Sequence, residues 1–222
     1  MVLPSLLDKL NFIRRFYEIT SDAFVDTKRK IEQHEEPFHH FNIDDEEPPF
    51  LAEWLDADES LNILGKSCLC LLQNAFFNYL RGFIDSYAPV NAAVTLNTVG
   101  GDSAFEKHRR VFLQAYNIDW AASPVDVHFL EEINFARNDI QHGGTFYDME
   151  HRQNPQYFNR FPASIFADQW ERELFANDGG MRQPRITVTR DSLFAAIEAI
   201  EDFCSYLDAE WWKIFQENRG AA

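Results

Sequence analysis

The run Phe135-Ala136-Arg137-Asn138-Asp139-Ile140-Gln141-His142-Gly143-Gly144 is the stretch of this chain in which residue type and spacing could do chemistry. An arginine keeps its proton and offers phosphate oxygens a planar fork of donors. A histidine gives or takes a proton near neutral pH. Together, as Arg-x4-His with Asn138 directly after the arginine, they suit cleavage of a phosphodiester. The plain alternative is the solvated face of a helix, with His142 favoured near the negative end of the macrodipole.

The helix that carries these residues can be read from the sequence. Ser123, Pro124 at the first helical position and Asp126 make a start signal, because hydroxyl and carboxylate satisfy unpaired N–H groups at the positive end. Gly143 and Gly144 supply the stop. Phe129, Ile133, Ala136 and Ile140 recur at spacings of four, three and four and form one apolar stripe. Glu131, Asn134, Asn138 and His142 fall roughly opposite it, with Arg137 and Gln141 on the flank, so the motif is expected to look outward.

An Arg with a polar neighbour, then a His four to six residues on, set on a late helix of an all-helical domain, resembles the HEPN superfamily. Arg137, Asn138 and His142 match that pattern as they stand. The resemblance implies a HEPN-like up-and-down bundle of four to five helices, and a homodimer in which both copies of the motif line one cleft. It also implies a metal-independent ribonuclease of the kind found in toxin–antitoxin, phage-defence and RNA-processing systems. Arg137 would hold the scissile phosphate, His142 would move a proton during attack of the ribose 2'-hydroxyl, and Asn138 would orient one of them. The product would carry a 2',3'-cyclic phosphate, and no cofactor or metal is called for. Some members carry an aromatic two residues after the His; here that position is Gly144, and Tyr147 comes later. Other members are non-catalytic partner modules, so an interaction module with a protein partner is the alternative reading.

The remaining elements are read from apolar periodicity. It predicts an all-α chain forming a single domain over residues 1–222. The helices are expected over about 6–33, 60–87, 104–116, the motif helix, and 192–215 with Asp191 as cap. Ile186–Thr189 reads as the one strand-like run. On the second helix Asn74, Asn78 and Arg81 are candidate contributors to a site. Residues 34–59, with Asp44, Asp45, Glu46, Glu47, Pro48 and Pro49, read as an acidic connecting loop. Its His34, Glu35, Glu36, His39 and His40 invite a metal reading that Pro37 and the lack of a second cluster argue against. Residues 143–190 form a long aromatic and arginine-rich insertion before the last helix. There Tyr147, Arg152 and the other arginines suit single-stranded RNA, while Ile165, Phe166, Trp170, Leu174 and Phe175 suit a short helix covering the bundle.

Charge limits how such a site could work. The chain carries 20 Lys+Arg against 36 Asp+Glu, a net of −16, which repels nucleic acid at long range. Residues 1–60 hold 6 basic and 15 acidic groups, whereas 143–190 hold 6 of each. Lys107, Arg109 and Arg110, with His108, form a local basic cluster expected to touch substrate. Weak general affinity with a locally favourable RNA site fits these sums, as does an acidic first third docking on a basic partner. At 45 % hydrophobic with 21 Phe the core material is ample. No apolar run approaches the roughly 20 residues of a membrane span, and Pro4, Asp8 and Lys9 interrupt any secretory signal, so a cytoplasmic protein is expected. Cys68, Cys70 and Cys204 read as buried, reduced thiols. No phosphate-binding Gly-rich loop or Gly-x-Ser-x-Gly elbow occurs.

Overall fold

In the second helix apolar residues recur at three and four over several turns, and it becomes the element on which the others pack. The computed structural model describes residues 2–39, 48–101, 103–142, 155–175 and 185–220; at 142, 155, 156, 175, 219 and 220 the description covers the backbone alone. The elements are α1 (Val2–Glu32), α2 (Leu51–Ser86), α3 (Ala104–Tyr116), α4 (Val127–His142), α5 (Pro155–Arg160), α6 (Gln169–Phe175) and α7 (Arg190–Gly220), with one 3-10 turn at Trp120–Ala122. The chain is all-α. Among the described residues the only β pairing is an isolated bridge between Ala167 and Ile186, so the strand-like run Ile186–Thr189 stays a bridge.

Leu6, Leu10, Ile13 and Tyr17 bury one face of α1 against α2. The two run antiparallel: the α2 glycine Gly82 approaches Val2, while near the other end Lys28 pairs with Asp58 and the Trp54 indole donates to Glu32. α7 runs with α2. Gly65 lies under the Val188 carbonyl, the Tyr79 hydroxyl donates to the Cys204 carbonyl at 2.9 Å, and Tyr87 donates to Asp208. Arg14–Glu201 and Arg190–Glu18 tie α7 to α1 in the opposite sense. Phe76, Phe83, Phe112, Trp120 and Phe203 fill the centre with tilted and edge-on rings, the geometry aromatic quadrupoles favour.

Several expected boundaries move. The acidic connection 34–59 is shorter than its composition suggests, because α2 already begins at Leu51. Its Glu53 sits in the first turn, where a carboxylate is favourable, and the end of α1 holds it through Trp54 and Lys28, whose ammonium lies 4.0 Å over the Trp54 ring. α4 begins at Val127 rather than at Pro124. Asp126 is its cap, accepting from the His128 N–H at 2.9 Å, while Ser123 accepts from Val125 N. The cap of α7 is Thr189 rather than Asp191: Thr189 accepts from Ser192 N and Leu193 N, and the Asp191 side chain is 97 % exposed.

The described part of the insertion is a cover. Tyr157, Phe158, Phe161 and Phe166 are buried in the bundle, whereas Trp170 and Leu174 of α6 are exposed. Its arginines are engaged locally: Arg160 with Glu131, Arg185 with Glu171, and Arg172 with the Ser164 carbonyl. Tyr147, Arg152, Gly143 and Gly144, like His40 and Asp44–Glu47 of the acidic run, lie outside the described residues. Cys68 and Cys204 are buried free thiols, and Cys70 is half-buried. No helix among the described residues is long and apolar enough to cross a membrane.

Candidate nucleic-acid site

α4 buries Leu130, Ile133 and Ala136 in the core, while Phe129 and Ile140 pack at its margin. Its polar face is not open solvent. Asn134 is buried and accepts a 2.8 Å hydrogen bond from the Gln73 amide of α2. Glu132 is also buried and accepts from the Tyr157 hydroxyl. The helical wheel places Asn134 away from the apolar stripe, but α2 on one side and α5 on the other leave α4 little free surface. For Arg137 and Asn138 the expectation of an outward-looking face is corrected accordingly: both are half-buried in the wall of a cavity.

That cavity, of about 390 Å³, lies between three helices. α2 contributes Gln73, Asn74, Phe77, Asn78 and Arg81, all on one helical face; the start of α3 contributes Ser103 and Ala104; α4 contributes Asn134, Arg137 and Asn138. Arg137 donates from Nη1 to Asn138 Oδ1 at 3.0 Å, which fixes the plane of the guanidinium. Its Nε is buried without a hydrogen-bond partner, and so is Gln73 Oε1. A buried polar atom left unpaired costs about 1–3 kcal/mol. Two such atoms beside one cavity mark a place where a bound group could complete the network.

The cavity's charge is at odds with that of the chain. It is lined by two arginines and five carboxamides and by no carboxylate, although acidic residues outnumber basic ones by 36 to 20 overall. Among the described residues Arg81 makes no ion pair. The arrangement can receive an anion and can present donors and acceptors side by side to a planar polar group.

The expected basic cluster is placed elsewhere. Arg109 donates to Glu106 from Nε and Nη2 at 2.8 and 2.9 Å, and Arg110 donates to the same carboxylate at 2.7 Å. The Arg109 guanidinium first, and then Arg110, hold the Glu106 carboxyl down to about 2. His108 is buried against the Phe77 ring and donates from Nδ1 to the Ala104 carbonyl; burial lowers its pKa, so it is neutral at pH 7. Lys107 is exposed. None of these residues lines the cavity. The i, i+3 and i, i+4 spacing of Glu106 to Arg109 and Arg110 was the signal for this pairing.

The structure thus brings Arg137 and Asn138 together with Asn74, Asn78 and Arg81, the polar candidates of the second helix. Asn134, on the same polar face of α4, joins them, as do Gln73 and the α3 cap Ser103, which carry no signal of a site because each looks like an ordinary polar residue of its own segment. His142 is the last residue of α4. Among the described residues no group of three or more His, Cys, Asp or Glu is placed to hold a metal ion. No protein-family model, curated protein or solved structure matches the chain.

Proposed function

We propose that this chain is a metal-independent RNA endonuclease of the HEPN type, acting as a homodimer with Arg137, Asn138 and His142 from each copy. The observation that carries the reading is the cavity wall: in a chain of net −16, the place where Arg137 and Asn138 meet α2 holds two guanidiniums and no carboxylate. In the proposed reaction the ribose 2'-oxygen attacks phosphorus and the 5'-oxygen leaves, giving a 2',3'-cyclic phosphate and a 5'-hydroxyl. His142 carries a proton in this exchange, Arg137 neutralises the charge that grows on the phosphoryl oxygens, and Asn138 holds the Arg137 plane. The toxin–antitoxin or phage-defence setting belongs to the same proposal.

The test is incubation of purified protein with mixed RNAs in excess EDTA. Wild type is expected to cut and leave cyclic phosphate ends, and His142→Ala is expected to lose about 10²–10⁴-fold in rate while keeping its helical melting transition. Undiminished cutting by a pure His142→Ala preparation rules this mechanism out.

A second reading rests on a different observation. The first sixty residues are strongly acidic, and Phe12, Phe16 and Ile19 are exposed along one side of α1. These suit a non-catalytic module docking on a basic protein surface. Wild type that leaves every RNA intact while binding a basic partner, with binding weakened by salt, favours that reading.

A further inference from the structure

We propose that the cavity between α2, the start of α3 and α4 is a base-reading nucleotide subsite. Arg81 is its phosphate-holding cation, and its carboxamide wall prefers a base that carries an exocyclic amine. The substrate class rests on the nucleic-acid reading above, but the residues that argue for it are those of α2, outside the Arg-x4-His motif.

Three features converge. The first is the order of groups along α2: Gln73 and Asn74, then Phe77 and Asn78, then Arg81, all lining the cavity. Eight residues of helix rise about 12 Å, room to lay a base edge, a ring for stacking and a phosphate side by side. Carboxamides reading an edge, an aromatic under the base and a guanidinium on the phosphate are the elements by which proteins hold unstacked nucleotides. The volume, about 390 Å³, lies within the roughly 300–1,000 Å³ of small-ligand sites.

The second feature is the anion-favouring end. The start of α3 lines the cavity through Ser103 and Ala104. Ser103 Oγ accepts from the Glu106 N–H, which leaves the other first-turn N–H groups at the positive end of a 13-residue helix. Arg81 and Arg137 reinforce that sign, and no carboxylate in the lining opposes it.

The third feature selects the base. Gln73 is 2 % exposed; its Nε2 donates to Asn134, and its Oε1 has no partner. That oxygen is a buried acceptor without a donor; a base edge that displaces the packing over it has to bring one, which a fully ionised phosphate cannot supply and an exocyclic amine can. Adenine, cytosine and guanine carry such an amine; uracil carries a carbonyl where cytosine has its amine, so at that position it sets a lone pair against the Gln73 oxygen and keeps only its ring N3–H as a donor. A donor missing at a buried acceptor costs about tenfold in affinity.

The test is calorimetric titration of the full-length chain with adenosine, cytidine and uridine 3',5'-bisphosphates and with inorganic phosphate. The adenosine and cytidine ligands are expected to bind about tenfold tighter than the uridine ligand. Arg81→Ala should weaken all three nucleotides, and Asn78→Ala, at an exposed position, should weaken the nucleotides but not inorganic phosphate. Gln73→Leu should bring the adenosine ligand down to the uridine level; if that variant melts early, the Asn78→Ala comparison decides. Equal affinity for adenosine and uridine ligands, binding indifferent to Arg81→Ala, or no binding by any nucleotide at millimolar concentration overturns the proposal. The two readings fail separately. RNA cut in EDTA together with base-indifferent binding keeps the nuclease and removes this subsite, whereas amine-selective binding without any RNA cleavage keeps the subsite and removes the nuclease.

Discussion

The two sides of α2 solve different problems with the same helix. Toward α7 it is closed: Gly65 admits the Val188 backbone so closely that a Cβ built there would sit 2.1 Å from the carbonyl oxygen, and Tyr79 reaches across to the Cys204 carbonyl. Toward α4 it is hollow and polar, with Gln73 bonded to Asn134 and the cavity beyond them. The closed side contributes burial and close packing. The α4 side keeps an arginine- and amide-lined cavity with two buried atoms unpaired beside it, a cost that a fold tolerates where a ligand restores the missing bonds. Stability and function are therefore expected to separate by side.

Gly65→Ala is the hardest blow to the closed side. Its new methyl meets backbone rather than the end of a flexible side chain, so α2 and the start of α7 must move apart, and urea unfolding should show a loss of about 3 kcal/mol, the upper end of overpacking costs. A loss below about 1 kcal/mol would mean that this interface is looser than its geometry.

Arg137→Ala probes the hollow side. RNA cleavage should fall by about 10²-fold or more, the usual cost of removing one charge-stabilising donor, while stability changes by less than about 1 kcal/mol. Equal loss of stability and activity would erase the distinction between the two sides.

Thiol chemistry sharpens the same contrast. Burial pushes the Cys68 thiol up to about 11 and the Cys204 thiol well above its ordinary value. Burial also raises Cys70, but the nearby Arg137 guanidinium pulls it back. Because the thiolate is the reactive form, mass-spectrometric labelling of the native protein at pH 8 should modify Cys70 first and Cys204 only on unfolding. Cys204 labelled as fast as Cys70 would show that the closed side opens.

The smallest effect belongs to Glu106→Gln, which releases Arg109 and Arg110. The salt dependence of RNA binding should steepen by about 0.7 for each new phosphate contact on a single strand, with stability down by less than about 1 kcal/mol since the ion pairs are largely exposed. The sign with pH follows from a carboxyl held at about 2 against an ordinary 4.5. The wild-type advantage is fully present above about 4.5 and disappears as pH falls toward 2. A difference that grows on acidification would contradict the pairing.

Much of the helical frame was legible. The third helix falls at Ala104–Tyr116 as its periodicity indicates, and the stripe of α4 marks Ile133 and Ala136 as core, with Phe129 and Ile140 packed at its margin. The start of α2 was not legible, because Glu53, Asp56, Asp58 and Glu59 have a loop's composition although they lie within the first turns of the helix. Arg109 and Arg110 read as a basic patch since charge was counted without pairing each arginine to the carboxylate one turn back. In the site, Arg137, Asn138, Asn74, Asn78 and Arg81 stood out by type, Asn134 was placed only on the polar face of its helix, and Gln73 did not stand out.

By itself the sequence determined which apolar stripe of α4 would be buried and that a guanidinium and an imidazole would share that helix, since apolar periodicity and local spacing are properties of one segment at a time. Which polar faces meet was decided only by the tertiary structure. Gln73 and Asn134 are sixty-one residues apart, and a hydrogen bond between them depends on how two helices cross, a quantity that no local pattern encodes. The same crossing leaves a space lined by arginine and amide in an otherwise acidic protein, and with it the candidate site.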